Sequence, residues 1–395
     1  MTFNRRRIAL FEPYPDLVTN PTLVCLLKAL TRGGARVDVM MHDTSCLQSL
    51  EGNITGYRFP EGLSAWYGDI RTTLRCWSER LDMERLGIER RFAAGAYDLI
   101  IGVDSLGIIR ASTYANRFNV PLVYLSFEIF FRDELSTQKE IEEKDRETDA
   151  SRSADLVIIQ DSGRGKLLSA ENNLSLNKFE YLPVSPDGFR CDGGSDYLRR
   201  QFNISEERTV VLQSGSFAEW TCAGELIESV TKWPERFILV IHMPYESKQS
   251  EPYVQAIRRA ELPNVFLTTG ALPTEEYEKM VDSADIGLVL YKPVPSSRYV
   301  QKNIEHIGLA SGKFSFYMKY GIPVISSAQK EYDRLLRNYA FGENIDTFDD
   351  MPQALRRVRS HYNHYRTEAY RLFSEKLDFD IHWPRLSARL LEIMK

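Results

Sequence analysis

NIEHIGLASGKFSFYMKYGIPVI, running from Asn303 to Ile325, is the stretch whose reading decides the fold. Gly308 and Gly312 loosen the backbone, and Ser311 suits an N-cap. Phe314, Phe316, Tyr317, Met318 and Tyr320 follow as a short aromatic helix. Gly321 falls where a helix C′ residue belongs, and Pro323 forbids continuation. Ile322, Val324 and Ile325 read as a short buried strand. The pattern is loop, short helix, tight turn, strand. A helix start preceded by small residues offers free N–H groups and the positive end of the helix dipole to an anion. Lys313 adds a full charge on the first turn. The stretch therefore reads either as a diphosphate cradle or as an ordinary helix start with a solvated lysine.

Half of a Walker motif is visible in GLASGK, but the spacing rejects it. Three residues rather than four separate Gly308 from Gly312, and Phe314 stands where a Ser or Thr hydroxyl must meet Mg²⁺.

The stretch instead resembles the donor-domain signature of GT-B glycosyltransferases, in particular those like family 4. Met318, Gly321, Pro323, Val324 and Ile325 match the end of that signature, and Ser311, Gly312 and Lys313 its start. Ser283 to Pro293, SADIGLVLYKP, is similar to the family's strand before the donor loop. One departure stands out. The family often has two glutamates separated by seven residues, the second gripping the donor ribose, and those positions hold Gly308 and Phe316 here. Glu305 is the nearest acidic substitute. In motif the resemblance covers only Ser283 to Ile325; in architecture it covers most of the chain. It implies an α/β protein of two Rossmann-like, doubly wound parallel-sheet domains facing a cleft.

The composition fits. A chain of 395 residues can hold two cores. Its 43% hydrophobic and 27% charged residues are ordinary for a globular protein. A net charge of −5 argues against a general nucleic-acid binder. Five scattered cysteines without a CxxC indicate neither a zinc site nor a disulfide framework, and a reducing, cytoplasmic setting follows. The apolar run Ile8 to Phe11 is too short for a signal peptide and reads as a first strand.

Taken in order, the chain alternates strands and helices. Arg7 to Phe11 is followed by a loop, then by a helix capped at Asn20 with Pro21 at its first position and ended at Gly33-Gly34, then by a strand at Val37 to Met41. Arg71 to Ala94 mixes six arginines with acidic residues. It reads as a solvated helix or as a basic face touching the inner side of a membrane. Asp104 and Glu128 close the apolar strands at Asp98 to Val103 and Pro121 to Leu125. In an open parallel sheet such ends face ligand, although a helix cap and a solvated carboxylate are the simpler alternatives. Glu134 to Arg152 reads as an exposed helix, Asp155 to Gln160 as a strand, and Gly163-Arg164-Gly165 opens another helix. Val184 to Ser195 has the composition of a linker. Beyond it Thr209 to Gln213, Phe237 to His242, Val265 to Thr269 and Ile286 to Tyr291 repeat the strand pattern, with a helix from about Glu219 to Lys232. Gly215 and Ser216 follow the first of these strands. Glu219 and Trp220 come next, where a basic residue is common in the family, so positive charge must come from Lys292, Arg298, Lys302 or Lys313. His361 and His364 read as surface residues, and no Ser/His/Asp or HExxH order appears.

These readings divide the chain into residues 1–190, with the last helix 379–395 packing back on them, and residues 196–378. The first is the acceptor domain and the second the nucleotide-sugar donor domain. The resemblance implies a hexosyltransferase-like enzyme, metal-independent and retaining, with no cofactor beyond its nucleotide-diphosphate sugar. It implies donor contacts at Gly215, Ser216, Tyr291, Lys292, Asn303, Glu305, Ser311, Gly312 and Lys313. Acceptor contacts fall at Asn20, Thr22, Asp104 and Glu128, and catalytic roles at Glu128, Asp104 and Lys313. The expected partners are the nucleotide sugar and a glycan, lipid-linked or small-molecule acceptor, with no nucleic acid. A sugar-nucleotide epimerase and a non-catalytic nucleotide-sugar-binding protein are the alternatives.

Overall fold

The computed structural model describes residues 2–13, 15–58, 83–188, 194–245, 247–295 and 299–395. Two compact units are present: Met1–Pro183 together with His382–Lys395, and Val184–Ile381. Of the expected helix at Arg71 to Ala94, residues 71–82 lie outside the described residues, as do residues 189–193 of the expected linker and Arg298; Met83–Ala93 is helical.

The first unit is built on β1 (Arg7–Phe11), β2 (Arg36–Met41), β3 (Ile54–Arg58), β4 (Leu99–Val103), β5 (Leu122–Leu125), β6 (Leu156–Ile159) and β7 (Phe179–Tyr181). They form one sheet in the order β3-β2-β1-β4-β5-β6-β7, every pair parallel. Every residue of β4, β5 and β6 is buried, as a parallel sheet covered on both faces requires. The second unit carries β8 (Thr209–Ser214), β9 (Phe237–Met243), β10 (Val265–Thr269), β11 (Ile286–Val289), β12 (Val324–Ser327) and β13 (Gly342–Ile345) in the order β10-β9-β8-β11-β12-β13, again all parallel. Among the described residues, two apolar clusters make up its core. In each sheet the strand order reverses once, between β1 and β4 and between β8 and β11. Ligands of open α/β sheets bind outside the carboxyl ends of the strands at such a switch point.

Local signals account for the elements that matter to the site. Asn20 accepts from the Thr22 and Leu23 N–H groups at 3.0 and 3.3 Å, and Pro21 begins the helix Pro21–Arg32. Ser311 caps Gly312–Lys319 by accepting from Phe314 N at 3.4 Å. That helix ends in a Schellman turn: Gly321, at φ 62°, donates to Met318 O at 3.0 Å and Ile322 N to Tyr317 O at 2.8 Å. Tyr317 crosses β11 at Gly287, where a Cβ would sit 2.5 Å from its ring, and donates its hydroxyl to Leu212 O at 2.9 Å.

Two expectations need correction, and two strands come without one: β3 (ITGYR) and β13 (GENI) give no clear sequence signal, because each carries few apolar residues. The helix expected from Glu219 to Lys232 is a single 3-10 turn, Glu219–Thr221, then Cys222 at φ 57°, then a helix over Ala223–Val230. The helix Gln138–Arg152 is not wholly exposed. Lys144 and Glu147 are fully buried, and Lys144 Nζ donates to Glu147 at 2.7 Å and to Asn172 at 2.5 Å, while Tyr124 donates to Glu147 at 2.8 Å. Each charge is paired and hydrogen-bonded, which is the condition for keeping it inside.

Candidate functional site

In the second unit the loops after β8 and β11 and the start of the Gly312–Lys319 helix belong to the switch point. Gly215 follows β8 at φ 93°, and no atom lies within 4 Å of where its Cβ would be, so the space beside it is open. Its own N–H is taken by His242 O at 3.0 Å. The Gly215 loop is tied to the helix by Ser214 Oγ, which lies 3.3 Å from the Tyr317 hydroxyl. Tyr291, just past β11, places its hydroxyl 2.8 Å from the capping Ser311 Oγ.

Lys313 projects from the first turn of this helix. Its Nζ is buried and has no hydrogen-bond partner among the described residues, and it lies 5.0 Å from the centre of the Tyr291 ring. Burial pushes its pKa down to about 7. An ammonium without a counter-ion next to a helix N-terminus is matched to an anion. The arrangement offers an anion three things: N–H groups, the positive end of the dipole, and a buried lysine amine beside them.

The other expected donor residues fall out unevenly. Lys292 is engaged by Glu225 through a short ion pair, so its charge is already answered. Its backbone N donates to Trp220 O at 3.0 Å, and Trp220 stacks on Tyr291, the planes 7° apart with centroids separated by 6.0 Å. Trp220 thus sets an indole, not a cation, beside Tyr291. Asn303 is buried, whereas Glu305 is exposed on the short turn Lys302–Glu305. Phe316, at the position of the family's second glutamate, is buried with its ring 5.0 Å from Tyr277 in an edge contact.

In the first unit the structure brings Asp104 and Glu128 together. Asp104, at φ 49°, opens the helix Asp104–Phe118 and accepts from Phe127 N at 2.6 Å and Glu128 N at 3.0 Å. Burial pushes Asp104 up to about 6, against the two N–H donors and Arg164. Glu128 Oε2 lies 3.7 Å from Arg164 Nη2, an ion-pair separation too long for a hydrogen bond. Burial of that oxygen, reinforced by Asp104, pushes Glu128 up to about 7 in spite of Arg164. Asn20 and Thr22 do not join them: Asn20 caps its helix, and Thr22 is fully buried with its hydroxyl donated to Pro183 O at 3.2 Å. Sequence reasoning passed over Arg164, although its place in the first turn after β6 was visible.

His361 and His364 are exposed, each ring against Tyr365. Among the described residues no group of three His, Cys, Asp or Glu is arranged to hold a metal, and no helix is long and apolar enough to cross a membrane.

No family model matches the chain, and no curated protein matches it in sequence. Solved structures do. HepE from Anabaena, in complex with UDP-glucose, superposes with a TM-score of 0.73 at 13% identity over 98% of this chain and 99% of that one. The chain has the GT-B fold. A second GT-B protein, sucrose-phosphate synthase from Thermosynechococcus elongatus, gives 0.71 at 14% identity over 98% and 99%. A Listeria monocytogenes protein assigned as a UDP-N-acetylglucosamine 2-epimerase gives 0.59 at 13% over 97% and 95%. A sucrose-phosphate synthase and a protein assigned as an epimerase thus share this architecture, so the fold alone does not choose the reaction.

Proposed function

We propose that this chain is a glycosyltransferase that moves a sugar from a nucleotide-diphosphate sugar to an acceptor hydroxyl. The observation that carries the reading is the buried, unpartnered Lys313 ammonium at the start of the Gly312–Lys319 helix, at the switch point of the second sheet. As the glycosidic bond to the donor breaks, negative charge collects on the leaving diphosphate. Lys313 and the helix N-terminus stabilise that charge as it develops, in a site where they are already oriented. The same charges do the work a metal would do, so transfer proceeds without one. The resemblance to family 4 supports retention of configuration. Asp104 and Glu128 serve the acceptor, the raised pKa of Glu128 leaving it able to share a proton with a hydroxyl near neutrality. HepE was solved with UDP and with UDP-glucose, which makes uridine nucleotides the first donors to try.

The test is binding of UDP, GDP, CDP and TDP, and of the matching nucleosides, to the wild type and to Lys313→Ala. A charged hydrogen bond contributes roughly 1.5–3 kcal/mol. The substitution should therefore weaken diphosphate binding about tenfold to a hundredfold and leave nucleoside binding unchanged. Equal loss for both ligands, or none, removes Lys313 from the site. Incubation with a panel of nucleotide sugars separates the reactions: slow donor hydrolysis marks a transferase, sugar interconversion an epimerase, and binding without turnover a partner protein.

A further inference from the structure

The turn carrying Glu128 is held by more buried polar groups than a short loop needs. Asp104 takes both of its N–H groups, as described. Ser126 Oγ donates to Glu128 O at 3.2 Å, and Gln160 Nε2 donates to Ser126 O at 2.8 Å. Arg164 completes the frame: Nε donates to Gln160 Oε1 at 2.7 Å and Nη2 to Phe127 O at 2.7 Å. These groups come from the carboxyl ends of β4, β5 and β6 and from the helix Ser162–Asn172. The Arg164 side chain is only 1% exposed, whereas that of Glu128 is 43% exposed. Burying a guanidinium is costly, and a turn that merely had to close would be closed by neutral groups. The Glu128 carboxyl is the group of this frame that reaches solvent, with Oε2 buried against Arg164 and accepting no hydrogen bond among the described residues.

We propose that Arg164 is a positioning residue that holds the Glu128 carboxyl toward a neutral hydroxyl of the second substrate. This rests on reading the first unit as the acceptor half. The charge pattern selects the ligand class. The guanidinium is covered and faced by carboxylates, so an anionic acceptor group would meet Glu128 and Asp104 rather than Arg164. A polyol hydroxyl, able both to donate and to accept, suits a carboxyl that is half-ionised near neutrality.

The titratable groups acting on Glu128 are Arg164, Asp104 and Glu134, with Glu147 acting in turn on Asp104. Arg164 is the one cation among them. An opposite charge within about 4–6 Å lowers a carboxyl pKa by roughly 1–3 units. Arg164→Met in the full chain should therefore raise the Glu128 titration by about one unit or more from its wild-type position. That shift is readable by carbon NMR, with the resonance assigned against Glu128→Gln. The acid limb of the pH profile of transfer should move by the same amount, with nucleotide-diphosphate binding within about twofold of wild type. An unmoved Glu128 titration in folded Arg164→Met overturns the proposal, as does a titration that moves while the pH profile stays. Arg164→Lys guards against a variant that fails to fold. It keeps the charge and loses the planar fork, so the titration should stay near 7 while transfer falls at least about tenfold. Transfer by Arg164→Lys at the wild-type rate overturns positioning. Diphosphate binding depends on Lys313 in the other unit and is read separately, so a failure of the donor assignment and a failure of Arg164 give different results.

Discussion

At the scale of a single residue, Lys313 joins a cost to a use. In the unfolded chain its pKa is 10.5, and burial takes it down to about 7 in the folded protein. A folded-state value below the unfolded one means that below pH 7 the protein holds a charge its surroundings do not favour. Between about pH 7 and 10.5 the unfolded chain binds the extra proton, so the Lys313 penalty is relieved and this residue's contribution to stability rises with pH. Lys313→Met should accordingly stabilise the ligand-free protein most at pH 6 and flatten that rise, as denaturant titrations at several pH values will read. Lower stability of Lys313→Met at pH 6 would contradict an unpaired ammonium. Ligand binding should respond in the opposite sense. A bound diphosphate favours the charged amine, so above pH 7 binding takes up a proton, and affinity for a nucleotide diphosphate should fall by up to about tenfold per pH unit. Affinity that is flat from pH 6.5 to 9 would exclude Lys313 as the group that answers the phosphates.

At the scale of elements, the site depends on how the Gly312–Lys319 helix is seated on its sheet. Tyr317 lies flat on Gly287 of β11 and reaches across to Leu212 O of β8, so one ring spans the switch point. Gly287→Ala places a methyl where the Tyr317 ring is, at 2.5 Å from the ideal Cβ. Overpacking of this kind costs about 1–3 kcal/mol, and here it presses on the ring that seats the helix. Thermal unfolding of the second unit should move down, and diphosphate binding should weaken more than Tyr317→Phe makes it; an unchanged melt would mean the helix is not fixed by this contact. A second test concerns Lys292, which Glu225 occupies. Glu225→Gln should free that lysine and tighten diphosphate binding severalfold, measured by titration calorimetry; unchanged affinity would show that Lys292 faces no phosphate. These elements were legible to different degrees. Ser311, Gly321 and Pro323 announced the helix and its ends because caps and turns are written in single residues. The apolar runs of β4, β9 and β11 announced a parallel sheet. The 3-10 turn before Cys222 was hidden, since nothing in EWTC forces a left-handed residue. Lys144, Glu147 and Arg164 were hidden too: charge in a sequence reads as surface, and only the fold shows which charges meet a partner inside.

At the scale of the whole chain, the last segment belongs to the first unit although it follows the second in sequence. Its attachments are specific. Trp383 packs on Phe3 at 5.8 Å. Arg385 and Arg389 both reach Glu180, at 2.7 and 3.5 Å, and Arg385 Nη2 donates to Tyr181 O at 3.1 Å, on β7. Leu386 and Leu390 of the same segment are buried. Full burial of a leucine contributes about 1.5–3 kcal/mol, so the segment carries a large share of the marginal stability of a domain. Ending the chain at Ile381 should therefore destabilise the first unit selectively. Hydrogen exchange read peptide by peptide should show β1 and β7, which neighbour Phe3 and Glu180, losing protection first. Strands β8 to β13 should keep theirs, because the second unit has its own two apolar clusters and loses none of these contacts. Trp383→Ala, which removes the ring and leaves the helix, should produce a weaker form of the same pattern. Equal loss of protection in both sheets would mean that the two units unfold as one, and that the last helix stabilises them jointly rather than serving the first.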